Sequence, residues 1–408
     1  RGEFDVAREY LDTWRNVARE DVESRYLSFL VELHRSRALA ARREEDLDAA
    51  AEQILIYAEA AWKRALLHER HGGLDIDSRL EAATSYEECG RLRTALLVLD
   101  PYARLSLKRK RELHAERAQV SDASLLLART YLALGLDDSA RNELGVLVDP
   151  EADLPELWGP VVERAVLLRA GLQDGDEAEA RDLEFLVSRL DPRSPIRQRA
   201  LYQLGVIKEL ASESAQGRRR SSLRARAERH YLNVIETSAS HVGPESFAVR
   251  LLSMKRLAEF YERNSQFFLA AQRYAALASV SLHRIATTLP VPDARNLLRS
   301  VRNAEFLEAE MFWLAGKVSE AESRFHEALS GDAESLLIPW AHLRVGQSLA
   351  LRGSRAEAYA MFQLGLERLE RDVRFGWDSS PENESRKRHW RAVKQQFGVE
   401  IELLGALR

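Results

Sequence analysis

Three features of the amino-acid sequence point to an all-α solenoid built from helical hairpins. A pattern of small, aromatic and turn-forming residues recurs along the chain, Asp-Pro pairs close the predicted second helices, and glycine and proline are scarce. The clearest copy of the pattern is LLLARTYLALGLDDSARNELGVLVDP, from Leu125 to Pro150. Ala128 precedes Tyr131 by three residues, Gly135 follows four later, and Ala140 with Leu144 repeats the small-then-large alternation. A small side chain lets two helix backbones approach, the ring fills the neighbouring groove, and glycine takes a turn conformation that a Cβ makes costly.

Six further copies are legible. Ala83, Tyr86, Gly90, Ala95 and Leu99 form one; Leu257, Ala258, Tyr261, Phe267, Ala270, Tyr274 and Leu277 form another. Ala309, Phe312, Gly316, Ala321, Phe325 and Ala328 make a third, followed by Gly346, Leu349, Gly353, Ala358 and Phe362. Two are less complete: Leu168, Gly171, Gly175 and Ala180 lack the aromatic, and Leu204 and Gly205 reach Ala227 and Tyr231 only across an insertion. VLDP, LVDP and RLDP end at Pro101, Pro150 and Pro192, and proline cannot continue a helix. The composition agrees, with 45% hydrophobic and 30% charged residues and only 20 Gly and 11 Pro in 408.

Before the repeats, nothing between Gly2 and Gly72 is glycine or proline. Tyr10, Trp14, Val17, Tyr26, Leu30 and Leu33, then Leu47, Ala51, Ile54, Ala58, Trp62 and Leu66, keep helical spacing, which predicts a long hairpin over 5–72 with its turn at Arg42 to Asp46, a cap or divergent repeat. Arg1 to Phe4 reads as a cloning junction, with a signal peptide, a membrane anchor or a disordered tail expected upstream. Extracytoplasmic and cytoplasmic locations both stay open. After the repeats, Phe375 to Glu384 (within 371–384) reads as a loop, and 385–408 as a capping helix with Trp390, Val393, Phe397 and Ile401 as its docking stripe.

The motif resembles the tetratricopeptide repeat family, whose repeat is about 34 residues long. The resemblance covers 74–370 in about seven copies. The alanines opening the second helices, Ala95, Ala140, Ala180, Ala227, Ala270, Ala321 and Ala358, are separated by 45, 40, 47, 43, 51 and 37 residues, so this is a divergent array with longer helices or insertions. The resemblance implies a right-handed superhelical solenoid whose first helices line a concave groove. Carried over to the residues flanking each small-aromatic pair, the groove candidates are Arg129, Arg169, Tyr202, Lys255, Glu259, Phe306, Glu310, Trp313, Trp340 and Gln347. They run from arginines early to aromatics with carboxylates late, and Trp313 and Trp340 are the expected anchors or, alternatively, packing between repeats.

The net charge of −4 argues against a general nucleic-acid surface, and 52 of the 60 basic residues are arginine, a bias that suggests a GC-rich, bacterial genome. Basic residues cluster at Lys108 to Arg111, at Arg386 to Arg388 with Arg391, and as a patch at Arg218, Arg219, Arg220 and Arg224 with Arg226. The last, in GRRRSSLRAR, reads as an insertion between helices and as a phosphate or acidic-partner site, against the plainer reading of a solvated surface. Catalytic signatures are lacking: no phosphate-cradling glycine loop, dinucleotide fingerprint, zinc-protease helix or nucleophile elbow is found. His68 and His71 make an incomplete metal pair, and Cys89 reads as a packing residue. The expectation is a non-enzymatic scaffold without cofactor or metal, holding a peptide, helix or partner domain; self-association as an assembly or envelope component and, further back, phosphate or nucleic-acid binding are the alternatives.

Overall fold

The computed structural model describes residues 20–70, 74–116, 119–148, 159–173, 175–237, 243–330, 337–374 and 381–406. Among them are nineteen helices and no strand. Most pair as hairpins: α1 (Glu20–Arg43) with α2 (Leu47–Glu69), α3 (Ile76–Glu88) with α4 (Leu92–Ala103), α6 (Gln119–Ala133) with α7 (Asp137–Leu144), and α8 (Pro160–Ala170) with α9 (Asp176–Arg189). Then come α10 (Pro195–Ser214) with α11 (Gly217–Thr237), α12 (Pro244–Arg263) with α13 (Phe267–Ala278), α15 (Val291–Leu314) with α16 (Val318–Ser330), and α17 (Ile338–Leu351) with α18 (Arg355–Arg374). Single helices α5 (Leu107–Glu116), α14 (Leu282–Thr288) and α19 (Pro381–Ala406) complete the chain. Lengthened helices and the inserted α5 and α14 account for the long repeat intervals.

Six hairpins turn in the same way. The residue at the bend has positive φ: Gly90 (73°), Gly135 (70°), Gly316 (75°) and Gly353 (82°), but also Glu45 (61°) and Ser265 (58°). The next residue donates its N–H back to the carbonyl five positions earlier, Arg91 to Tyr86 at 2.8 Å, Leu136 to Tyr131, Gln266 to Tyr261, Lys317 to Phe312 and Ser354 to Leu349 at 2.9 Å, and Asp46 to Ala41 at 3.0 Å. This closes the orphan carbonyls at the end of the first helix. The carbonyl of that same residue then accepts the first bond of the second helix, from Ala95, Ala140, Ala270, Ala321, Ala358 and Ala50. All six alanines are buried to 1% exposure or less. The α1–α2 pair therefore shares the geometry of the repeats, with Glu45 standing where glycine stands elsewhere.

Glycine has a second use inside the hairpins. A Cβ at Gly346 would lie 2.3 Å from the Phe362 ring, at Gly205 2.6 Å from Tyr231, and at Gly365 2.4 Å from Phe397. The aromatic of one helix thus rests on the bare backbone of the other. In α10–α11 the expected insertion is absent: the turn is only residues 215–216, and GRRRSSLRAR forms the first turns of α11. At the C-terminus the helix begins at Pro381, earlier than the expected 385; Val393 and Phe397 are buried and Ile401 packs beside them, while the Trp390 side chain, like Tyr10, Trp14 and Val17, lies outside the described residues.

The chain divides into two compact units, Arg1–Arg250 with Ser281–Leu297, and Leu251–Val280 with Leu298–Arg408. In the first unit one core runs through successive hairpins, joining Ala128, Ala140 and Leu144 to Ala165, Val166, Ala180, Leu183, Ala200 and Leu204. In the second, Phe306, Ala309, Ala321 and Phe325 continue into Leu343, Val345, Ala358, Phe362 and Phe397. No hairpin encloses a core of its own, so neighbours supply each other's apolar cover. The first unit also closes in a way the sequence reading did not anticipate. Helix α14 packs on α1, and the buried Arg42 guanidinium donates to the carbonyls of Ala286 (3.0 Å) and Leu289 and pairs with Glu88. Arg295 pairs with Asp48, and Pro292 sits under Gly90. The α1–α2 hairpin is thus in contact with α14 as well as with α3.

Gly346→Ala is expected to destabilise the fold by roughly 1–3 kcal/mol through overpacking against Phe362, and Phe362→Leu should cost less in that background than in the wild type, a coupling that urea denaturation of the double-mutant cycle measures. Ser265→Gly should gain about 1 kcal/mol by removing a Cβ from a left-handed turn. Arg42→Ala should cost about 3–5 kcal/mol, as breaking a buried pair does, and hydrogen exchange should report loss of protection across Ser281–Leu289.

Candidate functional site

Ion pairs and hydrogen bonds link helices of different repeats within each unit. Arg35 of α1 reaches Glu81 of α3 at 2.6 Å, and Arg64 of α2 meets the same carboxylate at 2.5 Å. Glu87 of α3 takes a two-pronged contact from Arg129 of α6. Arg164 of α8 lies 3.7 Å from Glu245 at the start of α12. In the second unit Glu310 of α15 binds Arg344 of α17, and Gln347 of α17 donates to Glu400 of α19 at 2.7 Å. Each of these contacts commits a charged side chain to a neighbouring helix within its unit.

Four of the groove candidates meet in one place. Arg344, which the sequence reading did not single out, lies between two indoles, its guanidinium carbon 5.0 Å from the Trp313 ring centre and 4.6 Å from that of Trp340. Its Nε donates to Glu310 at 2.8 Å, the Trp340 Nε1 donates to the same carboxylate at 2.9 Å, and its Nη1 donates to Gln347 at 3.0 Å. The side chains of Arg344 and Glu310 are each 15% exposed, and both tryptophans are half-buried. A guanidinium held between aromatic faces is favoured by the ring quadrupoles, more so away from water. The signal was present in the sequence as Glu310 and Trp313 three apart and Trp340, Arg344 and Gln347 at four and three, spacings that share a helix face.

The other candidates are dispersed. Arg129 is exposed but committed to Glu87. Arg169 is buried, binding Asp182 through two 2.9 Å hydrogen bonds, with Gln173 adding a third to that carboxylate; it ties α8 to α9 and is not a groove residue. Phe306 is buried at 2% exposure within the core and is likewise removed from the groove set. The expected gradient from arginines to aromatics fails because the early arginines carry their own counterions. Lys255 and Glu259 face each other at 3.8 Å along α12, and Tyr202 packs its ring against Tyr231 at 6.0 Å between centres.

The basic clusters divide in the same fashion. Lys110 is buried against Glu143 and the Ala103 carbonyl, and Arg111 donates to the Gly145 carbonyl at the end of α7, so the cluster at 108–111 clamps α5 in place. Burial pushes the Glu143 carboxyl up against the pull of Lys110. Arg220 turns back to cap α10, donating to the carbonyls of Ser212, Glu213 and Ala215, and Arg224 is half-buried; Arg218 and Arg219 are exposed. The side chains at 386–388 lie outside the described residues. His68 hydrogen-bonds Asp75 (2.7 Å) and Ser24 (2.9 Å), and His71 is not among the described residues. Burial pushes the Cys89 thiol up to about 11, the opposite of what a nucleophile requires. Among the described residues no group of three His, Cys, Asp or Glu could hold a metal, and no helix is long and apolar enough to cross a membrane.

No family model and no curated protein matches the chain. Among solved structures it is similar to a tetratricopeptide repeat protein from Parabacteroides merdae ATCC 43184, with 12% identity, coverage of 90% of this chain and 98% of the other, and a TM-score of 0.33. It is also similar to a circular tandem repeat protein with novel repeat topology, at 14% identity, 99% and 95% coverage and a TM-score of 0.23. Superpositions this loose carry no argument. The description as an all-α, tetratricopeptide-like repeat protein rests on the six shared turns and their buried alanines.

Two histidines give a pH dependence. Burial, assisted by Lys208 at His230 and by Arg368 at His342, holds both imidazoles below the ordinary 6.5. The unfolded chain then takes up protons that the fold refuses, so stability is kept above 6.5 and falls as the pH drops below it. The urea midpoint should be lower at pH of about 5.5 than at about 7.5, and His342→Gln should flatten part of that slope.

Proposed function

We propose that the chain is a non-enzymatic scaffold that holds a protein partner on the face formed by its first helices. The observation that supports this most strongly is the partly buried assembly of Trp313, Arg344 and Trp340. Tryptophan and arginine dominate binding energy at protein interfaces, and they do so best when already fixed in place. Here stacking, Glu310 and Gln347 hold them without a partner, so docking would order few side chains. The ion pairs between first helices contribute rigidity of the same kind.

The test is affinity capture from the source cells with the full chain, comparing wild type with Trp340→Ala and with Arg344→Ala. Proteins held by wild type and lost by about tenfold or more with either variant, a change of about 1.4 kcal/mol, are the expected result. Equal capture by all three, with thermal unfolding showing each variant folded, would contradict the proposal.

A second reading, self-association, is favoured by leucines that face water in the second unit: Leu351 is 72% exposed, Leu403 55% and Leu364 50%. If that reading holds, light scattering should show mass increasing with concentration, and Leu351→Glu should return the chain to a monomer. A mass independent of concentration would remove this reading.

A further inference from the structure

The α10–α11 hairpin is longer than its neighbours in the first unit. Its helices have 20 and 21 residues, against 11 and 14 in α8–α9, and within α11 the first buried residue is Ala227. The ten residues before it, 217–226, belong to the helix without belonging to the core. At 3.6 residues per turn, Arg218, Arg229, Arg226 and Arg219 fall within an arc of roughly 100°, and the stripe they form is about 16 Å long. All four are exposed, and Ser222 and Ala225, small and also exposed, lie among them. The other two arginines of the segment, Arg220 and Arg224, fall on the opposite side, where Arg220 caps α10.

What sets the stripe apart is that four arginines without counterions share one helix face; single arginines such as Arg93 of α4 also lack one. Arg35, Arg42, Arg64, Arg79, Arg129 and Arg169 in the same unit each have a carboxylate within ion-pair distance. Among the described residues, none of the four stripe arginines has one. Nearby charges include Glu228, on another side of the same helix, and Lys208 with Glu184, 3.9 Å from each other; the positive field of Arg226 and Arg229 reaches His230, whose proton it helps to repel. A solvated helix face usually mixes signs; this one does not.

We propose that the exposed face of α11 is a docking stripe for an acidic protein segment, with Arg218, Arg219, Arg226 and Arg229 taking carboxylates presented at helical spacing. The proposal rests on the scaffold reading above and names the chemistry of one partner element. Carboxylates four and eight residues apart on one helix face match rows separated by about one and two turns, and arginine binds them two-pronged. A nucleic acid is disfavoured by the same geometry. The stripe ends before the exposed Glu236, the chain carries a net charge of −4, and no exposed aromatic lies in the arc for a base to stack on.

The test uses the full chain and a fluorescein-labelled peptide of Ala-Glu-Ala-Ala repeats, read by anisotropy at low salt. Binding should weaken by about tenfold or more when all four arginines are changed to glutamate, or when only Arg226→Glu and Arg229→Glu are combined, should a fourfold variant not fold. Arg93→Glu, exposed on α4, should leave it unchanged, and added salt should weaken the wild type. Failure of the peptide to bind, equal binding by the charge-reversed variants, or tighter binding of a DNA duplex of about 20 base pairs would each overturn the assignment. Trp340→Ala should bind this peptide as the wild type does, so loss of the stripe proposal would leave the capture result at Trp340 standing, and the reverse.

Discussion

The turn that ends each first helix is the constraint on which the rest of the structure depends. One residue in the left-handed region allows the following N–H to return to the carbonyl five positions back, which satisfies the helix end and starts the second helix at a fixed angle. That angle carries an alanine into the interface, where the absence of a larger side chain lets the two backbones close. The aromatics at Tyr86, Tyr131, Tyr261 and Phe312 supply the carbonyl and then pack outward from the hairpin. Repeating this unit produces faces that are apolar on both sides, and only stacking covers them.

Stacking, in turn, decides what the exposed faces can do. Of the arginines that sequence alone suggested for a groove, Arg129 pairs with Glu87 of the neighbouring first helix and Arg169 with Asp182 of its own hairpin. Two exposed features stand out among the described residues: the indole-guanidinium assembly at Arg344 in the second unit and the arginine stripe of α11 in the first. Both sit on helices whose positions are set by cores, not on loops, so a ligand would meet side chains that are already placed. The closure of α14 onto α1 through Arg42 adds to the rigidity of the first unit.

Much of this was legible in the sequence. The spacing of a large apolar residue, glycine and alanine located four of the six turns, with leucine in place of the aromatic at Leu349, and Tyr261 with Ala270 located a fifth although serine replaces the glycine. The sixth was placed at Arg42 to Asp46, but its likeness to the others escaped because Ala41 supplies the carbonyl and Glu45 takes the positive φ, neither being the residue type that the pattern uses there. The extent of α11 escaped because periodicity locates buried faces, and a helix that extends past its core has none to locate. Arg169 and Phe306 were misplaced for a related reason: position on a helix does not say which way a neighbour approaches, and Asp182 settles the matter for Arg169 only in three dimensions. Trp313 and Trp340 were singled out, but not the arginine between them, since the contact joins two repeats.

The most direct measurement is hydrogen exchange, at single-amide resolution, of the N–H groups of Asp46, Arg91, Leu136, Gln266, Lys317 and Ser354 in the full chain. If the shared turn organises the array, all six are protected to a similar degree and well above the exposed first-turn amides of the helices that follow them. Exchange of these amides at the rate of an unstructured peptide would contradict the account at its foundation.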